Sequence, residues 1–224
     1  MNTAECRTVS VSLPPFGGEG LLGLPVGQAR SIILFAHGSG SSRFSPRNRA
    51  VAHALQRAGL ATLLFDLLTD EEAANRANVF DIALLAERLD QAASWIRDSA
   101  AGENLPFGLF GASTGAAAAL VAGAGRSDIG AIVGRGGRPD LAGEALAKVA
   151  APTLLIVGGD DPEVLDLNRA AARRLHCLHR LEIIPGATHL FEEHGAMDNV
   201  IALARAWFLQ HLVGQPAAAK GGEA

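Results

Sequence analysis

The sequence predicts a single α/β domain built on a doubly wound, mainly parallel sheet, with an antiparallel hairpin ahead of it. Three observations carry that expectation. Short, continuously apolar runs recur at 31–36, 60–65, 107–110, 129–133 and 152–157, each the length of a strand buried on both faces. Segments of helical period separate them, and alternating strands and helices make parallel crossovers. No internal repeat and no shift in composition marks a second domain in the 224 residues, a length that can bury one full core.

Each element has a local reason. Residues 8–13 alternate apolar and polar side chains (Val9, Val11, Leu13), as an edge strand does. After a turn at Pro14, Pro15, Gly17 and Gly18, residues 20–25 give its antiparallel partner. The buried run 31–36 ends in His37-Gly38-Ser39-Gly40-Ser41-Ser42, a loop rich in backbone donors. Residues 46–58 read as a helix, with Ser45 as N-cap, Pro46 in the first turn and Gly59 as terminator. Strand 60–65 leads to Asp66 and a loop over 67–78 that carries Asp70, Glu71 and Glu72. Ile82, Leu85, Leu89 and Ile96 mark one face of a long helix over 79–97. Helix 114–124, strand 129–133 and a loop rich in glycine and arginine (Gly134 to Pro139) follow. Asp140 is expected to cap a helix running to Val149. Strand 152–157, helix 163–175, strand 180–184 and an amphipathic helix over 196–212 complete the domain, expected to span 1–213. Residues 214–224 read as a disordered tail.

Composition excludes several classes. A 49% apolar content and a net charge of −4 with no long basic block argue against disorder and against a nucleic-acid partner. No apolar run is long enough to span a membrane. Residues 1–7 lack the basic start and apolar core of a signal peptide. Two cysteines, Cys6 and Cys177, cannot build a disulfide framework, so a reduced, cytoplasmic setting is expected.

The chemistry centres on Gly111-Ala112-Ser113-Thr114-Gly115. An apolar strand enters this Gly-X-Ser-X-Gly turn and an alanine-rich helix leaves it, which lifts a serine hydroxyl off the end of the sheet. Side chains at positions 111 and 115 would collide in so tight a turn. Serine near its free pKa needs a neighbouring base. Of seven histidines, His189 lies in the loop after the last strand, where it can reach Ser113; His194 competes less well. His189 and His194 are five residues apart, not the four that one helix face needs for a zinc pair, so no metal is expected. The imidazole needs a carboxylate to orient it, and the adjacent Asp160 and Asp161 stand at a strand end. The order serine, aspartate, histidine is that of an α/β-hydrolase. A tetrahedral intermediate needs backbone donors; the amides of Thr114 and Ser39 are the candidates.

His37-Gly38-Ser39-Gly40, the serine pentapeptide, Gly158-Gly159-Asp160-Asp161-Pro162 and Gly186-Ala187-Thr188-His189 together resemble the α/β-hydrolase superfamily, and within it the small, lidless dienelactone-hydrolase-like branch. The resemblance covers roughly 32–212. The family's spacing from Gly158 selects Asp161 as the acid. It implies an α/β-hydrolase fold, a small-molecule ester or lactone as partner, and hydrolysis without metal or organic cofactor. Serine replaces the cysteine usual at the family's elbow, which points to an esterase over the namesake substrate.

Arg43, Arg47, Arg135 and Arg138 lie near the same edge. Arg43 and Arg135 are candidates for binding an anionic substrate group; ion pairing with the acidic loop is the preferred reading. A dinucleotide-binding turn, a thioesterase or acyltransferase, and a non-catalytic scaffold on the same fold are the rival functions. A homodimer stays open.

Overall fold

The computed structural model describes residues 5–14, 16–99 and 101–213. The expected tail at 214–224 and Pro15 of the first turn lie outside the described residues. Eight strands form one sheet: β1 (Arg7–Leu13), β2 (Gly18–Leu24), β3 (Ile32–Ala36), β4 (Ala61–Phe65), β5 (Phe107–Ala112), β6 (Ile129–Arg135), β7 (Thr153–Gly158) and β8 (His179–Ile184). Their order is β1-β2-β4-β3-β5-β6-β7-β8. β1 and β2 pair antiparallel, β2 meets β4 antiparallel, and every later neighbour is parallel.

Seven α-helices flank the sheet: α1 (Pro46–Arg57), α2 (Asp70–Ala74), α3 (Arg76–Val79), α4 (Ile82–Arg97), α5 (Thr114–Gly123), α6 (Pro162–Ala172) and α7 (Ala196–Leu212). The alternation along β3 sorts the two cores. Ile33 and Phe35 pack against α1 and α7, with Val51, Leu55, Trp207 and Phe208. Ile32, Leu34 and Ala36 pack on the opposite face, against α4 and α5. Helix α5 has no polar side to turn outward; Ala116 to Ala119 are all buried, and small side chains let it lie close on the sheet. A Cβ on Gly123 would stand 2.6 Å from Ile132 Cδ1, which shows how close that contact is.

Four sequence expectations change. The stretch 67–78 holds two short helices, because Thr69 and Glu72 form a reciprocal capping box and Asn75 caps the second. The long helix starts at Ile82, where the Asp81 carboxylate accepts from Leu84 N–H. β6 runs on through Gly134 to Arg135, because that residue still pairs with Ala112 and Ile156. Asp140 does not cap an α-helix: residues Pro139–Lys148 form 3₁₀ turns kinked at Gly143 (φ 54°), and the Asp140 carboxylate accepts from Arg138 instead. Among the described residues no helix is long and apolar enough to cross a membrane.

Candidate active site

Parallel strands deliver their following loops to one edge, and six such loops follow β3 to β8. The elbow after β5 is the tightest. Ser113 has φ 52° and ψ −122°, a conformation that costs an L-residue about 1–3 kcal/mol. Three backbone bonds hold it there. Ser113 N–H donates to Arg135 C=O (3.2 Å), and Ser113 C=O accepts from Ala116 (3.0 Å) and Arg138 (3.1 Å). The flanking glycines are obligatory for separate reasons. A Cβ on Gly111 would lie 2.4 Å from Ala116 Cα, inside the turn, whereas one on Gly115 would lie 2.2 Å from the carbonyl oxygen of Ala36 in β3.

The aspartate and histidine meet across the ends of β7 and β8. His189 Nδ1 lies 2.7 Å from Asp161 Oδ2, so Nδ1–H donates to the carboxylate and Nε2 is left as the free basic nitrogen. The Asp161 side chain is 15% exposed and that of His189 40%; Asp160 points to solvent. Backbone contact brings the two segments together: Gly159 N–H donates to Ile184 C=O, Asp160 N–H to Ala187 C=O, and a Cβ on Gly158 would stand 2.2 Å from Ala187 O. Phe191 (φ 57°), almost wholly buried, anchors the loop just beyond His189. The Ser113 hydroxyl makes no hydrogen bond to His189 in this state; catalytic contacts in ligand-free enzymes are often long.

The candidate oxyanion donors differ from each other. Thr114 opens α5 and its N–H points from a helix N-terminus. Ser39 N–H is engaged: it donates to Thr114 Oγ1 at 3.0 Å. His37 straps the same loop down, donating from Nδ1 to Gly38 C=O (3.0 Å) and accepting from Leu67 N–H at Nε2 (3.2 Å). Burial lowers the pKa of His37, against smaller opposing effects of the Gly38 carbonyl and Asp66. Gly38 lies against the serine side chain; a Cβ there would fall 2.9 Å from Ser113 Cβ.

The arginines divide sharply. Arg43 is consumed by Asp66, through its side chain and its backbone N–H, and by Glu19 at 3.2 Å. Arg138 pairs with Asp140 (2.8 Å) and Arg47 with Glu192 (3.1 Å). Arg135, read from sequence as a loop residue, ends β6 and is only 8% exposed. One contributor escapes sequence reading, the Thr114 hydroxyl, because its contact with the Ser39 amide crosses the fold. Among the described residues no cluster of three or more His, Cys, Asp or Glu side chains could hold a metal.

A strained serine at a strand–helix elbow, with an aspartate–histidine pair on the same edge of an eight-stranded sheet, defines an α/β-hydrolase-fold protein. Comparison with known proteins narrows this. A dienelactone hydrolase from Anabaena variabilis is 53% identical and superposes with a TM-score of 0.87, over 93% of this chain and 98% of that one. The chain belongs to the dienelactone-hydrolase family. A carboxyl esterase from the fungus Tuber melanosporum shares the fold at 17% identity, with a TM-score of 0.72 over 94% of this chain and 89% of its own. Two Mycobacterium tuberculosis proteins, provisionally named phosphoribosyl transferases, are 56% identical over 207 residues, which is 92% of this chain and 46% of each of them. The chain thus spans about half the length of the curated relatives it matches. No family model matches it.

Proposed function

We propose that the protein is a serine hydrolase of small carboxylic esters or lactones, acting through an acyl-enzyme on Ser113. The observation that carries this reading is the 2.7 Å contact of His189 Nδ1 with Asp161 Oδ2, on the same sheet edge as the strained Ser113. Ser113 Oγ attacks the acyl carbon as its proton passes to His189 Nε2. The carbon–oxygen bond to the alcohol then breaks and the imidazolium protonates the departing oxygen. Water, losing its proton to the same nitrogen, attacks the acyl carbon, and Ser113 leaves with that proton. Asp161 stays ionised and holds the tautomer. Thr114 N–H, joined by Ser39 N–H once it leaves the threonine hydroxyl, stabilises the tetrahedral oxyanion. The provisional name of the curated relatives belongs to chains about twice as long, and nothing in this site asks for it.

Intact-mass labelling with a serine-directed phosphonate tests the proposal. One adduct per chain, mapping to the peptide of Ser113 and absent from Ser113→Ala, is the expected result. An unlabelled but folded protein that also fails to turn over short esters rejects it.

A further inference from the structure

Among the described residues, Arg135 is the one buried charge near the candidate site with no counter-charge. No carboxylate of the described residues lies within 4.0 Å of its guanidinium and no guanidinium nitrogen makes a hydrogen bond to a described residue; Nε is buried outright, while the two terminal nitrogens keep contact with solvent. Folding ordinarily avoids sealing a charged donor from water without a partner, because its lost hydration goes unreplaced. The head lies 5.8 Å from the ring centroid of Phe191, which covers one π face and leaves the edge donors unused. Arg47 adds to the imbalance. Its charge acts on Arg135, its Nε is likewise buried without a partner, and among the described residues its one ion pair is with the exposed Glu192. Burial, with this like charge second, lowers the pKa of Arg135 to about 10, so it stays protonated at neutral pH.

The surroundings place this charge beside the reaction. The carbonyl of Arg135 accepts from Ser113 N–H. A Cβ on the next residue, Gly136, would stand 3.8 Å from His189 Cε1. Phe191 and Glu192, which face Arg135 and Arg47, lie two and three residues beyond His189. Resting on the hydrolase reading above, we propose that Arg135, assisted by Arg47, is the specificity residue of the site. It receives an oxyanion group, carboxylate or phosphate, carried on the substrate. The planar fork of donors suits such a group in a bidentate grip. Arg43, already closed by Asp66 and Glu19, plays no part.

The test compares para-nitrophenyl valerate, para-nitrophenyl hemiglutarate and the matching ester ending in a phosphomonoester. The readout is the ratio of kcat/KM for each anionic ester to that for the neutral one. In Arg135→Met the ratio is expected to fall about tenfold or more, mainly through KM, with partial recovery in Arg135→Lys. The arm that falls identifies the group. If Arg135 merely props Phe191, all three esters lose equally and the ratio stands, which overturns the proposal. A second measurement needs no turnover. Glutarate or inorganic phosphate should raise the melting temperature of Ser113→Ala and fail to do so once Arg135→Met is added. Stabilisation that survives the second substitution, or is absent from the start, overturns the anion site whatever becomes of the hydrolase reading.

Discussion

The elbow and the aspartate–histidine junction stand on one edge but are built by opposite means. Ser113 is held by its backbone: three main-chain bonds and two glycines whose missing side chains let β5, α5 and β3 meet. His189 is held at its ring by one side-chain bond to Asp161, on a loop that leaves two-fifths of the imidazole exposed. The backbone-built part tolerates no added atom, and the side-chain-built part can lose its chemistry while keeping its fold. The proposed roles suit this difference: a nucleophile needs one unvarying position, whereas a base must turn between two oxygens.

Three substitutions would break or sharpen this contrast. Asp161→Asn carries the largest expected effect: kcat for a short ester falls about 10³–10⁴-fold, while the urea midpoint stays close to wild type. A comparable loss of stability would mean that the junction is structural. Gly115→Ala comes next. Its Cβ meets the Ala36 carbonyl 2.2 Å away, a rigid backbone atom, so chemical denaturation should show a loss of about 3 kcal/mol or more; wild-type stability would remove the steric argument for the elbow. The smallest effect concerns His37. Its pKa is lowered in the fold, so the unfolded chain takes up the proton first as pH falls. Its contribution is whole above the unfolded value near 6.5 and is lost progressively below it, at no more than about 1.4 kcal/mol per pH unit. His211, also lowered by burial, acts in the same direction. Subtracting the pH profile of His37→Asn from that of wild type isolates the His37 share, and identical profiles would show that the strap carries none.

The strand ladder and the three chemistry-bearing loops were legible because each rests on local rules: apolar runs, a Gly-X-Ser-X-Gly turn, an aspartate and a histidine just past strand ends. What escaped was decided at a distance. Nothing local says that Gly134-Arg135-Gly136 continues a strand, since that depends on pairing with both Ala112 and Ile156. The same pairing turned a presumed surface arginine inward. The helices at Asp70–Ala74 and Arg76–Val79 are set by caps and bury none of their residues, so no apolar period announced them. For the arginines, the expected pairing with the acidic loop at 70–72 does not occur: Arg43, Arg47 and Arg138 are paired, but with Asp66 and Glu19, with Glu192 and with Asp140. Sequence offered no means of telling Arg135 from these.

In the proposed mechanism the Ser39 amide, resting on the Thr114 hydroxyl, makes oxyanion binding at that position an exchange of acceptors. The N–H already has a protein acceptor before any substrate arrives. A negatively charged oxygen displaces a neutral one, and the gain is the difference between a charge-assisted hydrogen bond and an ordinary one. A ground-state carbonyl, itself neutral, competes with the threonine on nearly equal terms. On that mechanism the threonine is a threshold, yielding the amide to the charge that develops at the transition state and withholding it from the substrate at rest.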